Sequence, residues 1–579
     1  MACDLVARLS RLRKRSAESV ENTNTFDSFK RYLHVERQVE IELRQLLRDI
    51  NAKQSKCLVL LCGSAGDGKS HLLSYLKNVD SEDLLQDFEL YNDATESSEP
   101  TWTAIDTLAE KLSAFDDEHC FLDDSRKMII AINLGTLNNF IESEKGKRYS
   151  KLKAYVEASG ILSGYFPERE YLVDSVFQHV SFSDYQIFSL GPDGVETDFL
   201  EALFGKIFEN SSENSFYYAY RKCVSCSVGK RCPVCHNYEF LSDFENQKTI
   251  IRRIVKVVIK DKAIVTTREI CNLLYDLMVH PDFDSTKICV GTSDITYLTN
   301  YLNWTTPMLL NEFADISPLL NTIGMYDVLK ERTSLSDCDA TRFHSLDNIH
   351  DVFTITTRGT PYEILNNLTD VSVLGGIKAE LKKIIYRFIC RLREFKMNLD
   401  PIQSSSRLDQ FISYLYLQNS GNEKSLGELY KATRLAALNW NGQFGDDCIC
   451  IDDSNEMLWV LEELQLKAVI NKNAIIKDGS IRRFSPMLKL KYRDKRSMLE
   501  EFVELNMDFS LYELILDIRE GYRPTVQDKN RHADFASFVQ RSIEFGNKSE
   551  EVFLIPKESG KKYKVIFKKT EFQFEFRVV

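Results

Sequence analysis

Residues 63–70 of this 579-residue chain read Gly-Ser-Ala-Gly-Asp-Gly-Lys-Ser. The spacing G-x-x-x-x-G-K-S is that of a loop that grips a polyphosphate. Gly63, Gly66 and Gly68 allow backbone conformations closed to other residues. The loop N–H groups, those of Ser64, Ala65 and Asp67 included, can therefore point inward at phosphate oxygens. Lys69 is spaced to reach the β- and γ-phosphates, and the Ser70 hydroxyl to hold Mg2+. His71 lies in the first turn of the helix expected to follow, whose positive dipole end favours an anion. ATP with Mg2+ is the expected ligand.

A second set of chemistry-bearing residues is Cys223-x-x-Cys226, five intervening residues, then Cys232-x-x-Cys235. Four thiolates in two CxxC pairs supply a tetrahedral set for Zn2+ that leaves no open position for catalysis. An iron–sulfur centre or redox dithiols are the other chemistries open to such a set. The expected role is a metal staple for a surface insertion at about 221–236. Flanking Arg221, Lys222, Lys230 and Arg231 also suit a docking or DNA-contacting bump.

Positioning these groups falls to strands and helices legible in the apolar pattern. Cys57–Cys62 is an unbroken apolar run that reads as a buried strand, with a helix from Lys69 after it. A second strand is expected at Phe88–Tyr91, a helix from Thr103 to about Phe115, a third strand at Met128–Ile132 and a helix at Leu137–Ser143. Strand and helix alternating, with strands apolar throughout, predicts a parallel sheet covered on both faces. Ligands in such sheets sit at the carboxyl ends of the strands. The glycine loop, Asp93, Glu96 and Asn133 all fall at that edge. The strand ending in Asn133 lacks the acid usual beside such a loop, so Asp93 and Glu96 are the candidates for metal coordination or water activation. Asn133 is the candidate γ-phosphate sensor. At Thr266-Thr267-Arg268-Glu269 a capping box opens another helix, and Arg268 is the candidate to stabilise transition-state charge. Arg332, Arg342 and Arg358 are further candidates, acting on a neighbouring subunit.

The whole is read as an α/β P-loop NTPase core, AAA+-like, with a zinc-knuckle insertion, a helical lid and an α+β C-terminal module. The expected boundaries are 1–55 for a helical lead-in, 56–260 for the core, 261–400 for the lid and 401–579 for the C-terminal module. Residues 1–25 are expected to be loosely ordered, and Phe26–Ile50 to form a helix. Near the C-terminus, Arg482, Arg483, Lys489, Lys491, Arg493, Lys495 and Arg496 stand against one acid, Asp494. Their alternation predicts a strand with one cationic face, either a nucleic-acid contact or a charged edge that prevents strand pairing.

A net charge of −12 with 43% hydrophobic and 28% charged residues is the balance of an ordinary globular protein. It excludes global attraction to nucleic acid. No apolar run reaches about 18 residues and Met1-Ala2-Cys3-Asp4 lacks a signal-peptide core. A cytoplasmic protein with no membrane partner and mostly reduced cysteines is expected.

The chain resembles the DptF family, the ATPase-type subunits of bacterial phosphorothioation-dependent restriction systems. The resemblance lies in Cys62–His71, in Tyr91-Asn92-Asp93-Ala94-Thr95-Glu96 and in Ile130-Ala131-Ile132-Asn133-Leu134-Gly135. The CxxC pairs and Thr267-Arg268-Glu269 support it, all within about the first half. It implies a subunit of a complex that attacks DNA lacking phosphorothioate modification, with DNA cutting left to partner subunits. DNA would be met directly or through those partners, and a homo-oligomer is a further possibility. Nucleotide state would gate DNA engagement or assembly. The alternatives are a nucleotide-dependent scaffold or switch with little turnover, and a DNA-binding regulator with an ATPase core.

Overall fold

In the computed structural model, Cys57-Leu58-Val59-Leu60-Leu61-Cys62 forms β1, buried at all six positions. The structure describes residues 3–21, 28–53, 55–92, 102–122, 124–162, 175–226, 228, 232–284, 294–312, 317–330, 337, 338, 340, 341, 343, 379–392, 394, 395, 405–445, 447–452, 456–471, 476–495, 501–545 and 550–579. They fall into two compact units, one of 1–188 with 197–401 and one of 189–196 with 402–579.

In the first unit β1 is joined by β2 (Phe88–Tyr91), β3 (Lys127–Ile132) and β4 (Phe177–Ser181) in an all-parallel sheet of order β2-β3-β1-β4. Strand side chains alternate between faces, and each face has its own helical cover. Leu58, Leu60, Met128 and Ile130 pack with Leu108, Leu112, Phe140 and Leu152. Val59, Leu61, Ile129 and Val180 pack with Leu43, Leu47, Leu73 and Leu76. Two covered faces favour apolar side chains at every strand position, which is why β1 and most of β3 read as continuous apolar runs.

Three expectations are corrected here. Residues 1–25 are not loose throughout: Asp4–Glu21 is a helix whose Leu5, Leu9 and Leu12 are buried. That spacing of four and three makes one apolar stripe among the arginines. The expected helix over 26–50 is broken into Ser28–Tyr32 and Gln38–Lys53, with residues 33–37 between them. Beyond the sheet the secondary structure described in the first unit is helical, including Pro233–Ser242, Phe244–Asp261, Thr267–Met278 and Ala379–Leu392.

The second unit holds the antiparallel sheets, the smallest of them the pair β5 (Ser189–Gly191) and β6 (Gly194–Glu196). Between the 405–419 and 427–438 helices and the 533–543 helix lie β7 (Cys448–Asp452), β8 (Leu458–Glu463), β9 (Leu466–Ala468), β10 (Leu488–Asp494) and β11 (Val503–Met507). The strands β12 (Glu551–Pro556), β13 (Tyr563–Lys568) and β14 (Gln573–Val578) follow. The two larger sheets run β14-β13-β12-β8-β7 and β11-β10-β9. The third correction concerns the basic strand. β10 is the middle of its sheet, so it is not a charged edge. Leu488, Leu490 and Tyr492 are buried on one face, and on the other Lys491 pairs with Glu504 at 2.7 Å. Among the described residues no helix is long and apolar enough to cross a membrane.

Candidate functional site

β1 delivers the chain to the carboxyl edge of the sheet between the ends of β3 and β4. The Gly63 N–H reaches the Ile132 carbonyl at 3.3 Å, so the glycine loop starts as a continuation of the ladder. It then turns through Gly66 and Gly68, at φ of 93° and 104°. Such values strain any residue with a Cβ. At Gly63 the constraint is space, because a Cβ would lie 2.8 Å from Asp67 Oδ2 and 3.0 Å from Phe182 Cβ.

The loop is clasped internally. The Asp67 carboxylate accepts the Ser64 N–H at 2.5 Å. Burial raises the Asp67 pKa, against the opposing pull of that N–H, Arg37 and Lys69. Lys69 Nζ donates to the Gly63 and Ser64 carbonyls, both at 2.8 Å. The Lys69–Asn78 helix begins with Gly68 at its N-cap and no side-chain cap. A helix start without a cap leaves its first N–H groups to water or a ligand. Ala65, Ser70 and His71 complete the loop and this first turn.

The Thr267–Met278 helix starts against the loop. Arg268 N–H reaches the Gly66 carbonyl at 3.4 Å, and a Cβ on Gly66 would meet Arg268 Cβ and Thr266 Oγ1, each at 3.2 Å. Thr266 is the N-cap, and Glu269 completes the reciprocal box by accepting the Thr266 N–H at 2.8 Å. The expected capping box is thus present, and Arg268 stands beside the loop.

Arg37 ties these pieces together and is absent from the sequence-derived candidates. Its Nη1 donates to the Asp67 carbonyl at 3.1 Å and to Thr267 Oγ1 at 3.5 Å. Its guanidinium lies 5.1 Å from the Phe182 ring centroid and 4.9 Å from that of Phe199. Burial lowers its pKa, with Asp67 opposing. Arg37 belongs to the break between two helices, where the apolar spacing of Tyr32 and Leu33 runs on undisturbed and hides the interruption. His34 lies in the same break. It stacks on Tyr75 at 3.6 Å, meets His71 at 3.2 Å through Nδ1, and meets Glu40 at 3.1 Å through Nε2. Glu40 in turn accepts from Arg44, which also bonds Asp80 at 2.8 Å.

Asn133 is the N-cap of the Leu134–Ile141 helix, its Oδ1 accepting the Thr136 N–H at 2.7 Å. Since β3 borders β1, Asn133 sits next to the glycine loop, and the end of β2 lies one strand farther out. Asp93 and Glu96, just beyond β2, lie outside the described residues, as do Arg332, Arg342 and Arg358.

Of the cysteines, Cys223 opens a tight turn after the Ser215–Lys222 helix, and Cys226 N–H returns to the Cys223 carbonyl at 3.1 Å. Cys232 caps the Pro233–Ser242 helix and Cys235 lies in its first turn. The Cys223 and Cys235 side chains hydrogen-bond each other, which raises the Cys235 pKa together with burial and lowers that of Cys223. Burial pushes the Cys232 thiol up to about 12. Among the described residues no group of three or more His, Cys, Asp or Glu side chains is gathered as a metal set. Lys230 and Arg231, between the two pairs, lie outside the described residues.

Compared with known proteins, the chain matches no protein-family model and no curated protein sequence.

Proposed function

We propose that the chain binds ATP with Mg2+ at residues 63–71 and hydrolyses it, as one subunit of a DNA restriction complex that acts on DNA lacking phosphorothioate modification. The observation that carries the nucleotide reading is the loop itself. Two glycines at positive φ, a lysine folded onto loop carbonyls and a helix start without a side-chain cap meet at the carboxyl edge of a parallel sheet. On binding, Lys69 exchanges its two carbonyl partners for phosphate oxygens, and Ser70 offers its hydroxyl to Mg2+. The loop N–H groups hold the remaining phosphate oxygens.

Strand order supports the assignment of the other groups in an AAA+-like core. With β3 between β1 and β2, Asn133 adjoins the phosphates as a sensor. Asp93 and Glu96, the acids that follow β2 in the sequence, are the groups proposed to coordinate the metal or activate water. Arg268, beside Gly66, is the cation that answers charge developed in transfer. The spacing of the two CxxC pairs supports Zn2+ held by the four cysteines as a structural staple. The restriction role rests on the resemblance to DptF.

A second reading is a nucleotide-gated scaffold with little turnover. It is favoured by the Asn133 carboxamide being engaged in capping a helix. Steady-state ATP turnover of the full chain, with and without DNA, separates the two. Hydrolysis predicts turnover that Lys69→Ala abolishes; a flat background identical in the variant refutes it.

A further inference from the structure

Among the described residues the β14 strand has one neighbour, β13, and ends its sheet. It reads Gln573-Phe574-Glu575-Phe576-Arg577-Val578. On one face Phe574, Phe576 and Val578 are 65%, 66% and 73% exposed, and on the other lie Glu575 and Arg577. A long apolar edge of this kind is usually blunted by lysine, proline or a bulge, and β14 carries none of these. The direction of its free backbone groups follows from one bond: Val579 N–H donates to the Lys562 carbonyl at 3.0 Å. Because antiparallel pairing alternates, the backbone groups of residues 573, 575 and 577 point to β13. Those of Phe574, Phe576 and Val578 point outward.

We propose that this edge pairs with the same edge of a second copy of the chain, antiparallel and centred on Phe576, to form one continuous sheet across a two-fold axis. The charges select the register. Centred on Phe576, Glu575 faces the partner's Arg577, and Phe574 faces the partner's Val578. About six outward main-chain hydrogen bonds then close. An axis on Glu575 would set that carboxylate against its own copy, and an axis on Arg577 would do the same to the guanidinium, both unfavourable for directly opposed like charges. Within one copy Glu575 already pairs with Arg577 at 2.6 Å and with Lys568 at 3.3 Å. The two-fold therefore builds a closed set of alternating charge on one face and an aromatic seam on the other. Nothing in this surface depends on the glycine loop, so the inference stands apart from the nucleotide reading.

Sedimentation equilibrium of the full chain from about 1 to 100 µM, the range of a modest strand-paired interface, tests it. The expected result is a reversible dimer. Glu575→Lys should weaken it about tenfold, since each dimer holds two copies of the reversed contact. The double variant Glu575→Lys with Arg577→Glu restores complementarity and should return the midpoint to within about threefold of the parent. Phe576→Pro removes an outward N–H while leaving the β13 bonds in place, and should give a monomer with unchanged far-UV circular dichroism. A parent chain that stays monomeric throughout overturns self-pairing and leaves the edge to a strand of another protein. A dimer indifferent to both Glu575→Lys and Phe576→Pro overturns it as well, as does a double variant that fails to recover.

Discussion

Replacing Gly66 by alanine, with Gly68→Ala as its control, isolates the contact between the glycine loop and the Thr267–Met278 helix. Both glycines sit at positive φ, so both variants carry a backbone penalty of roughly 1–2 kcal/mol. They differ in what the new methyl meets. At Gly68 no atom of the described residues lies within 4 Å. At Gly66 the methyl would stand 3.2 Å from both Arg268 Cβ and Thr266 Oγ1, atoms on the first turn of the neighbouring helix. Forcing these apart costs about 1–3 kcal/mol by the usual scale for overpacking. The helix start must yield, because β1 fixes the loop from behind. Hydrogen exchange without nucleotide reads this directly. The Glu269 and Ile270 amides, bonded to Thr266 Oγ1 and the Thr266 carbonyl, should exchange roughly ten- to hundredfold faster in Gly66→Ala than in Gly68→Ala. Equal exchange in the two variants would refute the reasoning, since backbone strain alone would then account for both.

Three further outcomes follow from the same unit. Arg37→Lys keeps the charge but cannot hold Asp67 and Thr267 with a planar fork between two rings. It should raise exchange in both the 63–68 loop and the start of the 267–278 helix, and unchanged exchange would refute the bridging role. Asp276, 3.0 Å from Arg13 of the N-terminal helix, has its pKa raised by burial to about 6. A carboxyl that titrates higher in the fold than in the unfolded chain stabilises fully below about pH 4. It loses that contribution as pH rises to about 6, at most about 3 kcal/mol. Local protection of the 4–21 helix should therefore rise from pH 7 to pH 5 in the parent and stay level in Asp276→Asn; parallel profiles would contradict this. Converting Cys223 and Cys235 to serine should release about one zinc per chain, and plasma emission showing no zinc in the parent would remove the staple.

The parts of the fold legible in the sequence are those where one physical demand dominates. A strand covered on both faces must be apolar, so β1 and most of β3 stand out as runs. β4 obeys the same demand differently and escapes notice. Its Phe177-Gln178-His179-Val180-Ser181 buries polar groups by giving them partners, His179 to Tyr155 at 2.8 Å and Gln178 to the Ser175 carbonyl at 3.1 Å. The helix stripe of Leu5, Leu9 and Leu12 is hidden by five arginines and lysines between Arg8 and Arg15. The glycine loop and the Thr266–Glu269 box are local motifs, each written within a few residues, and both are readable. Arg37 is not, because its role depends on Asp67, Phe182, Phe199 and Thr267, which only the fold assembles. No spacing rule points to a residue whose partners lie 30 and 230 positions away.

The central claim is that residues 63–71 close on a triphosphate, and calorimetric titration of the full chain with Mg2+ and a non-hydrolysable ATP analogue tests it. One site per chain is expected. In Lys69→Ala the affinity should fall about 10- to 100-fold, the loss of a charged hydrogen bond to phosphate, with circular dichroism unchanged. Absence of binding in the parent, or equal affinity in the variant, would contradict it.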